Sequence, residues 1–297
     1  MKRVILTVLV FLTPLLCAGS FAQSYGGKAA QKRFIKTEPQ SVTLKTEDGW
    51  TLSGTFRPPQ PDMPVLLFMH AYKEDSEGWQ KLARSAADLG YGYFLLDFRG
   101  HGKSLSGPAG SATYETFDKG GADNEYNRMT ADADAALVYI SSTAMVPETG
   151  IILVGAGLGA NIAIKTAAAH KEISMMALFS PTLNANHDVL TVNPLKEYGS
   201  RPVFMAASVE NQRLYREVAI LRGILYLNSG SRYVTFVTVK KGFNTEILKP
   251  NVTQAFINWL KWPYMPEPVE VPGLSVSDEA APVAAQTPQD PAETTER

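Results

Sequence analysis

The sequence contains almost no cysteine and almost no imbalance of charge. Its 297 residues include one cysteine, Cys17, and four histidines. A single cysteine excludes an internal disulfide and a metal centre built from several thiolates. The 28 basic and 29 acidic residues give a formal net charge of −1, so the composition does not indicate nucleic-acid binding. The remainder has ordinary globular composition, 45% hydrophobic and 19% charged, and suits one large α/β domain or two small ones.

The first 22 residues have the pattern of a secretory signal peptide. Lys2 and Arg3 precede an apolar stretch at 4–16, and Ser20-Phe21-Ala22 places small residues at the usual cleavage offsets. We therefore expect residues 1–22 to be removed and the protein to be exported, either to the periplasm or to the extracellular space. Residues 23–40 would then form an N-terminal extension of the mature chain.

Two alternatives remain open for the N-terminal segment. It could stay attached as a membrane anchor, although its apolar core is short for a bilayer span. It could also belong to a lipoprotein anchored through Cys17, although the bulky Leu16 before this cysteine fits a lipobox poorly. Membrane association would in either case depend on this segment alone.

The C-terminal 33 residues also differ in composition from the rest. Residues 265–297 contain six prolines, seven acidic residues and one basic residue. Little of this segment is apolar with any period, which predicts a disordered acidic tail. Without the signal segment and the tail, 25 basic and 22 acidic residues remain, a balance too even to indicate a charged partner.

The segment between the two ends predicts a single α/β domain over residues 41–264. Residues 41–57 alternate in period two around Asp48-Gly49, which predicts a β-hairpin. Continuous apolar runs then alternate with helical patterns, which predicts a mostly parallel sheet covered by helices on both faces. The predicted strands are 65–69, 91–98, 150–154, 174–179, 203–207 and 233–239, and the predicted helices are 77–89, 124–145, 159–170, 211–221 and 245–262, with an irregular excursion at 183–199.

Residues 151–160 read I-I-L-V-G-A-G-L-G-A, an apolar strand entering a glycine-dense turn. The turn fits two different sites. One is the nucleophile elbow G-x-S-x-G of a serine hydrolase, with glycine in place of the serine. The other is the dinucleotide fingerprint G-x-G-x-x-[GA], but the next strand ends Phe179-Ser180-Pro181-Thr182, without the carboxylate that would bind a ribose.

Two further motifs favour the elbow. The strand at 65–69 ends in His70-Ala71-Tyr72, and the next strand ends in D-x-R-G-H-G-x-S at 97–104. Together with the hairpin and the glycine turn, these motifs resemble the α/β-hydrolase fold superfamily, in particular its lipase-like and serine-peptidase-like members. The resemblance covers 41–262 and implies a nucleophile, an acid and a histidine in that order along the chain.

The resemblance places Gly157 at the nucleophile position, Glu210 at the acid position and Phe243 at the position of the histidine. Glycine has no oxygen to attack a carbonyl group, and a phenyl ring cannot accept a proton from a nucleophile. Two losses at cooperating positions predict a degenerate triad and a protein that no longer uses this chemistry.

The resemblance also implies an oxyanion-hole-like pair of backbone N–H groups, at Tyr72 and Leu158. His70 and His101 are further candidates for the pocket, and His187 lies in the irregular excursion, although histidines in such places usually have structural or solvent-exposed roles. No pair of histidines has zinc-ligand spacing. We therefore expect neither a metal nor a cofactor.

The sequence thus predicts a non-catalytic binding protein that holds a small acyl or apolar ligand, or a protein partner, at the former active site. An active ester or amide hydrolase with a displaced nucleophile, Ser180 or Ser208, is the alternative. A nucleotide-binding protein using the glycine turn at 155–160 is a second alternative. No nucleic-acid partner is expected.

Overall fold

The computed structural model describes residue 35, residues 37–186 and residues 188–264. The described residues do not include the predicted signal peptide, most of the predicted N-terminal extension, His187 or the predicted acidic tail. Within the described part, every helix is too short or too polar to span a bilayer.

Twelve strands and six α-helices follow one another along the described residues. The strands are β1 Gln40–Lys45, β2 Thr51–Arg57, β3 Val65–Met69, β4 Gly92–Leu96, β5 Ser106–Gly107, β6 Gly110–Ser111, β7 Ile151–Ala156, β8 Met175–Phe179, β9 Asn184–Ala185, β10 Val189–Leu190, β11 Val203–Ser208 and β12 Val234–Val239. The helices are α1 Gln80–Ala87, α2 Met129–Val138, α3 Leu158–Ala169, α4 Val192–Glu197, α5 Gln212–Ser229 and α6 Pro250–Lys261.

The main sheet has the order β12-β11-β8-β7-β3-β4-β2-β5-β6, and β1 pairs with β2. The strands from β12 to β4 run parallel to one another, whereas β2 is antiparallel to both β4 and β1. The predicted mostly parallel sheet with an N-terminal antiparallel hairpin is therefore confirmed.

Each face of the sheet carries its own hydrophobic core. In β3, Val65, Leu67 and Met69 pack into one core with α2, α3 and α5, whereas Leu66 and Phe68 pack into the other core with α1 and α6. Burial on both faces explains why this strand is a continuous apolar run rather than an alternating one. It also confirms that helices cover both sides of the sheet.

Three helices have different bounds from those predicted. The helix predicted at 124–145 begins only at Met129, because Asn124 organises a preceding turn in which its side chain accepts a hydrogen bond from Asn127 N–H at 2.9 Å. The helix predicted at 245–262 is divided at Pro250, whose missing N–H suits the first turn of α6. The helix predicted at 211–221 is longer than expected, since α5 continues to Ser229. It ends at Gly230, which has a positive φ of 86°.

The excursion predicted at 183–199 is more ordered than expected. It contains the short β9–β10 hairpin, which is antiparallel, and helix α4. Asn161 of α3 connects this excursion to the rest of the domain, because the Asn161 Nδ2 donates a hydrogen bond to Val189 O at 2.9 Å.

Arg99 ties the hairpin to the helical layer. Its side chain is fully buried, and its Nε donates to Asp132 Oδ1 of α2 at 2.8 Å. Its Nη1 also donates to Asp48 in the β1–β2 turn at 2.6 Å and to Glu125 at 2.9 Å. The Trp50 ring lies 5.6 Å from the guanidinium and covers it. The buried charge is thus neutralised from three segments of the chain.

We predict that Asp132→Ala destabilises the domain much more than Asp123→Ala. Asp132 is fully buried and accepts hydrogen bonds from both the backbone N–H and the Nε of Arg99, so its removal leaves these buried donors without that partner and should lower the free energy of unfolding by about 3–5 kcal/mol. Asp123 pairs with Arg128 but is 86% exposed, so its loss should have little effect. Urea unfolding of both variants measures the difference, and equal midpoints would contradict the assignment.

Candidate active site

The carboxyl ends of the parallel strands meet at one edge of the sheet. Met69 of β3 is in register with Gly155 of β7 and with Leu96 of β4. The segments that follow these three strands, which carry the predicted site residues, therefore begin side by side. This edge is where open α/β sheets bind their ligands.

Gly157 forms a sharp turn between β7 and α3. Its φ is 50° and its ψ is −116°, a conformation that residues with a side chain rarely adopt. Its N–H donates to Phe179 O at the end of β8, at 2.9 Å. The turn therefore has the geometry of a nucleophile elbow although it carries no side chain.

The glycines on either side of the turn are required by packing. A Cβ added to Gly155 would lie 2.3 Å from Gly159 O, and one added to Gly159 would lie 2.2 Å from Met69 O. Both distances are far below contact, so only glycine allows the first turn of α3 to approach β7 and β3 this closely. Packing alone thus accounts for these two glycines, with no phosphate needed to explain them.

The space beside Gly157 is occupied by the side chain of Asn244. A Cβ at Gly157 would lie 2.6 Å from Asn244 Oδ1 and 3.1 Å from the Ala71 side chain. Asn244 Nδ2 donates to Glu74 Oε1 at 3.1 Å, and this contact turns the amide oxygen toward the elbow. The amide therefore lies where the side chain of a nucleophile would begin.

The loop that carries Asn244 is itself held in place. Asn244 adopts a left-handed φ of 45°, which asparagine tolerates better than most residues, and its N–H donates to Ser180 Oγ at 3.2 Å. Thr245 Oγ1 donates to the second carboxylate oxygen of Glu74 at 3.0 Å. Glu74 thus accepts hydrogen bonds from two consecutive residues and fixes the amide against the elbow.

The structure places Asn244, and not the predicted Phe243, against Gly157. Phe243 instead lines a small cavity with Ser208 and Leu214. Gly242 and Asn244 both have positive φ, and the sharp turn between them brings the side chain one position after Phe243 to the elbow. Asparagine cannot act as the general base any more than phenylalanine could.

Glu210 lies near the loop, as its predicted position after β11 implies. Its carboxylate accepts a hydrogen bond from Gly242 N–H at 3.2 Å, and its own N–H donates to Ser208 Oγ at 3.1 Å. The side chain is otherwise exposed. Its contact is therefore with the backbone of the loop that carries Asn244.

Neither candidate for a displaced nucleophile is bonded to a histidine. Ser180 Oγ accepts from Asn244 N–H and Ser208 Oγ accepts from Glu210 N–H. Both hydroxyls contact backbone groups among the described residues, which leaves each serine without the base that would activate it.

His70 is a structural residue. Its Nδ1 donates to Ala71 O at 2.8 Å, and its Nε2 accepts from Phe98 N–H at 3.0 Å. Both ring nitrogens are thereby used to connect the loops that follow β3 and β4. Burial lowers the pKa of His70, which keeps the ring neutral as these two contacts require.

His101 lies inside the D-x-R-G-H-G-x-S loop, which is folded around its own polar groups. Asp97 accepts backbone N–H bonds from Ser76 and Lys103, both at 2.9 Å. His101 Nδ1 donates to Arg99 O at 2.9 Å, and its Nε2 is buried without a hydrogen-bond partner among the described residues. Burial, with His70 nearby, lowers the pKa of His101 to about 4. The most specific sequence motif of the chain is therefore a structural loop.

Tyr72 and Leu158, the residues expected to form an oxyanion hole, lie after the end of β3 and at the start of α3. Leu158 is the first residue of α3, so its N–H has no partner within the helix. The Tyr72 ring packs edge-on against Tyr114 and Tyr126, with ring centroids 5.3 and 5.8 Å apart. Neither backbone N–H donates to another described residue.

The cavity beside Phe243 and Ser180 has a volume of about 10 Å³, which leaves room for about one water molecule. A larger cleft of about 610 Å³ lies elsewhere, between α1 and the exposed side of β2. Among the residues that the structure describes, no group of three or more His, Cys, Asp or Glu side chains is arranged to hold a metal ion.

These features define a hydrolase-like framework in which Gly157 forms the elbow and the Asn244 side chain lies beside it. The family model for serine aminopeptidases, S33, matches residues 60–218, which is more than half of the chain. The chain therefore belongs to this family of α/β-hydrolases. No curated protein sequence matches it.

Solved structures of hydrolases share the fold. The Pyrococcus furiosus esterase Pf2001 is 16% identical, with a TM-score of 0.60 over 77% of this chain and 92% of the esterase. Dienelactone hydrolase from Anabaena variabilis is 13% identical, with a TM-score of 0.58 over 78% of this chain and 100% of that enzyme. A predicted CIB-like hydrolase from Thermoplasma acidophilum is 17% identical, with a TM-score of 0.56 over 76% of this chain and 99% of that chain. At these identities the similarity is one of fold.

We predict that the domain loses stability as the pH falls from 7 to 5.5 and that His101→Phe reduces this loss. The pKa of His101 is about 4 in the folded chain and near 6.5 in the unfolded chain, so only the unfolded chain takes up a proton in this interval. The contribution of His101 to the free energy of unfolding should fall by about 1 kcal/mol between pH 7 and pH 5.5.

Phenylalanine retains an aromatic ring to stack on Tyr114, which lies 4.5 Å from the His101 ring, but it cannot be protonated. Urea unfolding at both pH values measures the change. An equal loss in wild type and His101→Phe would show that His101 does not titrate in this way.

Proposed function

We propose that this chain is a non-catalytic member of its hydrolase family, with a binding role at the carboxyl edge of the sheet. The observation that carries the proposal is the Asn244 oxygen 2.6 Å from where a Cβ of residue 157 would stand. A serine at that position would have neither the space nor a base. The elbow is thus filled by a side chain that glutamate holds in place.

The chemistry of the family supports this proposal. Acyl transfer needs a hydroxyl whose proton is taken by a base within hydrogen-bond reach. Both His70 nitrogens bond to the backbone, as does His101 Nδ1. Ser180 and Ser208 are bonded to backbone N–H groups instead. A displaced nucleophile therefore receives no support from the described contacts.

Of the two binding roles expected from the sequence, a protein partner is better supported than a small acyl ligand. The small cavity beside Phe243, at the same edge of the sheet, has a volume of about 10 Å³ and cannot enclose an acyl chain, whereas drug-sized ligands occupy some hundreds of Å³. Leu190 and Val209 present exposed apolar side chains, 54% and 39% exposed, in the segments that follow β8 and β11. The N–H groups of Tyr72 and Leu158 would hold a carbonyl or carboxylate oxygen that the partner contributes.

We also propose that the protein is exported and cleaved after Ala22. The basic start, the apolar stretch at 4–16 and the small residues at 20–22 support this proposal. Expression of the full chain in a bacterium, followed by N-terminal sequencing of the protein from the periplasm or medium, should give a chain beginning at Gln23. A mature chain that retains Met1 or Lys2 would contradict it.

We predict that hydrolysis can be restored only by changing both elbow positions. Wild type and Gly157→Ser should show no labelling by a fluorophosphonate probe and no turnover of an activated ester. Gly157→Ser with Asn244→His supplies a hydroxyl and a base together, and histidine tolerates the positive φ of residue 244 better than most residues. This double variant should therefore gain labelling at the hydroxyl introduced at position 157.

The matched control is Gly157→Ser with Phe243→His, which places the histidine one residue away and should remain unlabelled. Circular dichroism of every variant checks that the fold is kept. Burst kinetics in wild type that disappear in Ser180→Ala or Ser208→Ala would overturn the non-catalytic proposal. Labelling of the Phe243→His control, but not of the Asn244→His variant, would overturn the assignment of the base position.

A further inference from the structure

Helix α5 and strand β12 form a surface at one end of the sheet, which we call the α5–β12 face. Among the residues that the structure describes, β12 is the terminal strand of the main sheet and pairs with β11 alone. On the outer side of α5, Ile220 is 51% exposed and Leu227 is 89% exposed, two helical turns apart. Gly223 lies between them and has open space where a Cβ would be. Apolar side chains beside a free sheet edge are features that proteins usually cover.

The α5–β12 face is strongly basic. Residues 211–241 contain six basic residues and one acidic residue, although bases and acids nearly balance in the whole chain. Arg213 and Arg216 are exposed on the first turns of α5, and Lys240 and Lys241 follow β12. The one acid, Glu217, already accepts hydrogen bonds from Arg213 at 3.3 Å and from Leu183 N–H at 3.0 Å. The face therefore contains more basic than acidic residues, and its exposed Arg213, Arg216, Lys240 and Lys241 give it an excess of positive charge.

The described part of the chain ends beside this face. Helix α6 stops at Lys261, and the Tyr264 ring then packs edge-on against Tyr233, with ring centroids 5.6 Å apart. Tyr233 directly precedes β12. Tyr264, the last described residue, therefore lies near the beginning of the edge strand.

The segment that starts there has the complementary charge. Residues 265–297 contain seven acidic residues and one basic residue. Its first part also carries apolar side chains between the acids, in the run E-P-V-E-V-P-G-L-S-V at 267–276. Length is not limiting, since 33 residues can span about 110 Å when extended, whereas the 18 residues of α5 span about 27 Å.

We propose that the acidic segment 265–297 binds the α5–β12 face of its own chain. Its carboxylates pair with Arg213, Arg216, Lys240 and Lys241, and its valines and leucine cover the Ile220–Leu227 stripe. Attachment at Tyr264 gives the segment a high effective concentration at this face, so individually weak contacts are sufficient. A second copy presenting the same basic face would be repelled, which makes the acidic segment the better occupant. This inference does not depend on the proposed non-catalytic role.

The test is carbodiimide cross-linking of the full chain, since this reagent joins a carboxylate to a lysine only where the two are in contact. Peptide mapping should find links from Lys240 or Lys241 to Glu270, Asp278 or Glu279, which are far enough along the chain from Tyr264 to reach the end of β12. Lys45, exposed on β1 near the other end of the sheet, is the internal control and should give few links to the tail. About 1 M NaCl should reduce the links severalfold, because it screens exposed charges beyond about 3 Å.

Charge reversal gives a second measurement on the same protein. Arg213→Glu with Arg216→Glu should lower the yield of links to Lys240 and Lys241 severalfold without changing either lysine. Lys81→Glu with Arg84→Glu, on exposed positions of α1, is the matched control and should leave the yield unchanged.

Three results would overturn the proposal. The first is equal linking of the tail to Lys45, and the second is the absence of links to Lys240 and Lys241 in low salt. The third is that, in a mixture of isotopically labelled and unlabelled chains, links form mainly between chains, which would assign the face to the tail of a second copy.

Discussion

The site depends on how closely α3 approaches the ends of β7 and β3. Gly155 and Gly159 allow this approach, since any Cβ at either position would collide with backbone atoms. With α3 fixed there, the chain has to reverse at Gly157 with a positive φ. The elbow is therefore a consequence of helix–sheet packing, and it persists whether or not a nucleophile stands on it.

The amide of Asn244 replaces a reactive group with a polar but inert one. Its oxygen lies beside the start of α3, where the helix dipole and the free N–H groups favour negative charge. Its nitrogen donates to Glu74, so both ends of the amide have a suitable environment. The same edge that would stabilise an oxyanion in an active enzyme here stabilises a side chain of the protein itself.

Much of the fold could be predicted from the sequence because its signals are local. The Asp48-Gly49 turn and the continuous apolar run at 65–69 each define an element through its immediate neighbours. The site was predictable only in part, for the same reason. Gly157 follows from the strand and glycine pattern around it, but the partner of Gly157 depends on the path of the loop at 240–245.

Asn244 and Glu74 could not be identified from the sequence. The backbone changes direction at Gly242 and again at Asn244, and these two turns decide which side chain faces the elbow. A sequence motif alone cannot tell whether that side chain belongs to residue 243 or to residue 244. Glu74 contributes only through contacts with residues 170 and 171 positions away. A weak signal was nevertheless present, since asparagine directly after Phe243 is a residue that favours a left-handed conformation.

The contact at the elbow makes the effects of substitutions at positions 157 and 244 depend on each other, which is epistasis. A serine that arose at 157 while Asn244 was still present would meet the amide oxygen, and a histidine that arose first at 244 would have no hydroxyl to activate. Neither change is useful without the other, so selection for activity cannot favour either one as a first step. On the proposed non-catalytic role, the contact that fills the site therefore also opposes a return of catalysis.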